Sequence, residues 1–149
     1  MIRPMKPIAA LLIVPLLANC QPGAGEANVP GDSSDSRPFD AIAPDEVLQL
    51  TGTEPFWGGN IAGNTLTYNT PEDPDSPAIA VKRFAGRGGL SFSGTYQSQP
   101  IDITVTPGNC SDGMSDRNFP FVVTLQVTGE TLNGCAWSDV QPFTGSESP

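Results

Sequence analysis

Histidine is absent from this chain of 149 residues, and cations are scarce: seven Lys plus Arg stand against sixteen Asp plus Glu, a formal net charge of −9. Without histidine there is no Ser-His or Cys-His nucleophile pair, no ordinary general base near neutral pH, and none of the commonest metal ligand. So few basic residues cannot form a clustered basic face, which excludes nucleic acid as an expected partner. Missing too is an apolar run of the roughly 20 residues that a membrane-spanning helix needs. No stretch repeats apolar residues at i, i+3, i+4 and i+7 for three turns, and Pro44 to Leu48 has room for one helical turn at most. No internal repeat is visible. Glycine and proline, by contrast, are abundant at 16 each, and the length suits one domain with a modest core.

The N-terminal residues read as an export address. Arg3 and Lys6 precede an apolar stretch from Ile8 to Leu17, broken by Pro15. At about ten residues it is too short to span a bilayer, and its order is that of a signal peptide. Leu17-Ala18-Asn19-Cys20 resembles the lipobox of bacterial lipoproteins, with Asn19 where a small residue is usual. That resemblance implies a signal peptide over 1–19 and Cys20 as the lipidated first residue of the mature chain. Three acyl chains, at about 0.8 kcal/mol per buried methylene, would make attachment effectively permanent. Gln21 rather than Asp after the cysteine implies retention at the outer membrane. An unlipidated Cys20 would instead be an odd thiol in an oxidising compartment, whereas lipidation leaves Cys110 and Cys135 as an even pair. A disulfide between those two would close a loop of roughly 26 residues and contribute roughly 3 to 4 kcal/mol.

From Gln21 to about Pro38 the composition turns to Gly, Pro, Ser, Asn and Asp with few large apolar side chains, so residues 20–39 are expected to be a flexible tether. Residues 144–149 are expected to be a short disordered tail. Between them, over 40–143, the dominant period is two. Phe121, Val123, Leu125 and Val127 alternate with Val122, Thr124 and Gln126, and Ile101, Ile103 and Val105 alternate with Asp102 and Thr104. Shorter alternations surround Leu90, Phe92 and Tyr96, Ile79 and Val81, and Leu66 and Tyr68. Val47 to Thr51, the segment through Ile61 and Leu132 to Trp137 complete about eight strands. Turn chemistry separates them at Gly63-Asn64, Gly86 to Gly89 and Gly129-Glu130. The fold class is all-β, and tight meander connections favour a small antiparallel barrel stapled by one disulfide.

Two dense motifs stand out. In Gly52-Thr53-Glu54-Pro55-Phe56-Trp57, adjacent aromatics must face opposite sides of a strand, so one of Phe56 and Trp57 plugs the core and the other sits outside. Glu54 either orients a ligand's polar group, or accepts backbone hydrogen bonds or pairs with Arg83 or Arg117. In Cys110-Ser111-Asp112-Gly113-Met114-Ser115-Asp116-Arg117, the oxygens suggest a calcium cage, but the spacing is not that of the known loop. Alternatively Asp112 and Asp116 satisfy backbone donors in a tight turn, with Arg117 pairing one of them. Paired carboxylates also serve glycan hydrolysis, but a Ser- and Gly-rich loop offers little burial to raise the acid's pKa. No metal or cofactor is expected.

These motifs, together with Gly94-Thr95-Tyr96, Ile103-Thr104-Val105, Pro120 and Gly134-Cys135-Ala136, resemble a family of uncharacterised bacterial envelope lipoproteins, similar in style to META and c-type lysozyme inhibitor domains. The resemblance implies a location and a fold rather than an activity. It points to a non-enzymatic binding or structural module of the cell envelope, anchored through its lipid and facing the periplasm. An acidic domain suits a basic protein partner such as a lysozyme. The alternative is a carrier holding a small hydrophobic ligand inside the barrel, lined by Trp57, Phe92 and Tyr96. Were the chain an enzyme, Glu54, Asp112 and Asp116 would be its only plausible participants.

Overall fold

The computed structural model describes residues 36–146. The expected signal peptide, lipidated Cys20 and most of the tether lie outside the described residues, as does the end of the expected tail. Eight strands form: β1 (Leu48–Thr53), β2 (Phe56–Ala62), β3 (Thr65–Asn69), β4 (Ile79–Ala85), β5 (Leu90–Tyr96), β6 (Gln99–Cys110), β7 (Phe119–Val127) and β8 (Glu130–Trp137). They follow one another around a closed antiparallel barrel, and β8 returns to pair with β1. The period-two pattern is what closes it. Along β7, Phe119, Phe121, Val123, Leu125 and Val127 are buried while their neighbours are at least partly exposed. Apolar side chains fill the inside and polar ones face outward, the reverse of a transmembrane barrel. Each fully buried Leu, Ile, Val or Phe contributes about 1.5 to 3 kcal/mol.

Two hairpins turn through residues that both have positive φ, the geometry that matches strand twist. Between β7 and β8 these are Thr128 and Gly129, one position before the Gly129-Glu130 step expected from sequence. Between β5 and β6 they are Gln97 and Ser98, at φ 48° and 65°, where no glycine or asparagine announces a turn.

The barrel has two short seams. β3 and β4 share two residue pairs, and β1 and β8 share three. Beside the first seam the segment before β1 folds in as a plug. Ile42 is buried, Arg83 donates to its carbonyl at 2.8 Å, and the Phe39 amide donates to Gly86. Glu46 clasps this plug to the chain after β8: its carboxylate accepts from the Ala43 amide, the Ser138 hydroxyl and the Gln141 amide side chain. Beyond β8 the chain stays attached. Phe143 joins Phe119 and Trp137 in a ring cluster with centroids 5.3 to 5.6 Å apart, and Thr144, within the expected tail, bridges to Asn118.

Candidate functional site

The Phe56-Trp57 pair divides as strand geometry requires. Trp57 is 4% exposed and lies inside the barrel, while Phe56 is 55% exposed on the surface. Opposite Trp57 in the β1–β2 register is Gly52. The indole lies over that glycine and reaches β8, where Nε1 donates to the Asn133 carbonyl at 3.3 Å and a Cβ on Gly134 would sit 2.6 Å from Cζ2. Trp57 therefore braces the short β1–β8 seam from within. Tyr68 and Tyr96 continue the inner stack, with centroids 6.2 and 5.4 Å apart along the series. Burial raises the pKa of both tyrosines, and at Tyr96 the Asp73 carboxylate adds to the effect.

On the outer wall the two sequence motifs meet. A disulfide joins Cys110, at the end of β6, to Cys135 in β8, with Cα atoms 5.6 Å apart. The loop that follows is thereby strapped toward β1, where the Thr53 hydroxyl donates to the Asp112 carbonyl at 2.9 Å. Between the strap and the β1–β2 turn lies a groove of about 700 Å³, lined among others by Glu54, Phe56, Asp112, Met114, Val122 and Asn133. A second hollow of about 340 Å³ adjoins it, lined among others by Phe56, Trp57, Pro71 and Pro74. Phe56, Thr51, Gly52 and Thr53 line both.

Inside the strap, Asp112 satisfies backbone donors. Its Oδ1 accepts from the Met114 and Ser115 amides at 3.0 and 2.9 Å, and the Ser115 hydroxyl bonds both oxygens. The Met114 hydrogen bond above all, then those of Ser115 and the nearby Arg117 charge, hold its carboxyl below the ordinary Asp value against an opposing effect of burial. This is the tight-turn use of Asp112. Asp116 is exposed, and neither it nor Arg117 lines the groove. The Arg117 guanidinium lies 4.4 Å over the Phe143 ring, and Arg83 is turned to Ile42, while Glu54 is exposed at the groove. Among the described residues, no three His, Cys, Asp or Glu side chains gather as a metal cage.

A carboxyl with a depressed folded-state pKa stabilises the fold above its unfolded value and loses that contribution as acid protonates it. Asp112→Asn keeps an acceptor oxygen for these amides but removes the charge, and is therefore expected to cost about 1 kcal/mol near neutral pH, the usual difference between a hydrogen bond to a charged acceptor and one to a neutral acceptor. The gap between variant and parent should close as pH falls below the ordinary value of 3.8. Urea midpoints at neutral and acid pH measure it, and a gap that widens on acidification contradicts the assignment.

Among the described residues, the interior leaves little space for cargo. Trp57, Phe92 and Tyr96, the residues expected to line a carrier's cavity, are all packed into one core, the last two at 2% and 8% exposure. Beneath the plug a gap of about 10 Å³ remains beside Leu48, Ile61 and Leu90, room for about one water.

Fold and site together define a small, disulfide-linked antiparallel β-barrel with a packed interior and a groove on its side wall. No family model matches the chain, and no curated protein or solved structure matches it either.

Proposed function

We propose that this chain is a lipid-anchored module of the bacterial cell envelope, held at the outer membrane by Cys20 and facing the periplasm, which binds a protein partner through the groove beside Phe56. The observation that carries the binding role is a packed barrel interior combined with an outer groove flanked by two exposed apolar side chains, Phe56 and Met114 at 55% and 59% exposure. A carrier needs an empty interior, whereas a partner-binding protein needs an accessible apolar surface. The anchor rests on the charged and apolar segments before Cys20.

Membrane fractionation tests the anchor: the parent chain is expected in the outer membrane fraction, and a Cys20→Ala variant in the soluble periplasm. A variant that stays with the membrane overturns the lipoprotein assignment. Photocrosslinking in intact cells from a reactive residue placed at the Phe56 position tests the binding role, with a discrete protein adduct expected. A basic c-type lysozyme is the sharpest candidate partner, since electrostatic complementarity would speed encounter with this acidic domain. A muramidase that keeps full activity with stoichiometric domain at low salt removes it.

A further inference from the structure

Building on that partner-binding role, we propose that the two hollows flanking Phe56 read an extended segment of the partner in which a basic side chain and an apolar side chain stand two residues apart. Among the described residues, Glu54 and Asp112 line the larger groove and no Lys or Arg does. A segment seated there is selected for positive charge. Asp112 has its oxygens engaged by Met114 and Ser115, so it contributes a fixed charge, whereas the exposed Glu54 is placed for direct pairing. The smaller hollow is different in kind. Its walls include Phe56, Trp57, Pro71 and Pro74, a largely apolar set suited to an aliphatic or proline side chain.

Phe56 stands at the boundary, lining both hollows and more than half exposed. On an extended chain, side chains i and i+2 point to the same side about 7 Å apart, a spacing that lets one pass on each side of a single ring. The ring face also attracts a cation. An apolar small molecule would gain from the ring-lined hollow but not from the carboxylates, so charge complementarity favours a peptide over a greasy ligand.

The test titrates the full, oxidised chain, labelled for amide NMR, with three end-blocked pentapeptides: Ser-Lys-Ala-Leu-Ser, Ser-Glu-Ala-Leu-Ser and Ser-Lys-Ala-Ser-Ser. The first is expected to shift amides in Thr51–Gly58 and Cys110–Met114 and to bind about tenfold more tightly than either control. Glu54→Gln should shrink the preference for Lys over Glu about threefold while leaving the preference for Leu over Ser intact. Phe56→Ala should abolish the preference for Leu over Ser and reduce, without abolishing, the preference for Lys over Glu, since both carboxylates remain; because both side chains are exposed, the unshifted core amides confirm that each variant is folded. Equal binding of the Glu peptide, shifts confined to other surfaces, or no binding of any peptide at millimolar concentration overturns the proposal. A photocrosslinked protein adduct at the Phe56 position without peptide binding overturns this recognition rule alone and leaves the partner-binding role standing.

Discussion

A Gly52→Ala variant is expected to lose about 3 kcal/mol or more of folding stability, the upper end of what overpacking a closed core costs. The added Cβ would stand 2.0 Å from Nε1 of Trp57, where no two nonbonded atoms can sit, so the indole must leave its place over β1 and give up its bond to Asn133. For a domain of this size, such a loss lowers the melting temperature by about 12 °C or more. Gly134→Ala should cost at least as much, but for a different reason. Its Cβ would meet the Thr51 carbonyl oxygen at 2.3 Å, and that atom belongs to the backbone of a paired strand. The two glycines are therefore separable by a double-mutant cycle. Adding Trp57→Leu to Gly52→Ala removes the clashing group and should make the pair less destabilising than the sum of its parts by about 1 to 3 kcal/mol. Adding it to Gly134→Ala should recover less, because the carbonyl remains. A Gly52→Ala protein that melts within a degree or two of the parent would refute the account of the β1–β8 seam.

That seam also marks how far the sequence alone could lead. The eight strands were legible because alternation is a local signal: Ile101, Ile103 and Val105 point inward whatever the rest of the chain does. Nearest-neighbour order followed from short connections, and the even cysteine pair foretold the disulfide. The division of Phe56 and Trp57 was legible for the same local reason. The reach of Trp57 to Asn133, across 76 residues of sequence, had no such signal, and so the role of Gly134 stayed hidden inside what read as an ordinary strand. The β5–β6 turn was equally silent, since Gln97 and Ser98 adopt positive φ without a residue type that favours it. Both site motifs were visible as dense strings, and Asp112 takes the backbone-capping use that its setting among Ser and Gly suggested. Their juxtaposition was not visible. It depends on the strap from Cys110 to Thr53, and a contact between residues 59 apart is fixed by topology rather than by composition. Pro71 and Pro74 entered the site by the same route, from a loop that sequence marks only as a loop.

Removing the disulfide should separate what holds the barrel from what holds the groove. Replacing Cys110 and Cys135 together by alanine is expected to cost about 3 kcal/mol, because the crosslink spans 25 residues of sequence and restricts the unfolded chain accordingly. The loss falls unevenly. β6, β7 and β8 remain joined by long antiparallel ladders, seven residue pairs between β7 and β8 alone, so the barrel is expected to close without the bridge. The far end of the loop also stays tied, through the Asn118–Thr144 bridge and the ring cluster of Phe119, Trp137 and Phe143. Between these anchors the strap would keep its hydrogen bond from Thr53 to Asp112, and a single neutral bond of that kind contributes only about 1 kcal/mol. Ser111 to Met114 should therefore open far more often than the strands, carrying Asp112 and Met114 away from Glu54 and Phe56. Native-state hydrogen exchange reads both effects: amides of β7 should exchange slower than those of Met114 and Ser115 by a wider margin in the double variant than in the parent. Binding at the groove should weaken by more than the change in global stability accounts for, since the folded population remains high while one wall of the site is intermittently absent. A double variant that fails to fold at room temperature would show instead that the bridge is needed to close the barrel. One with unchanged exchange at Met114 would show that the strap is held by something other than the sulfur link.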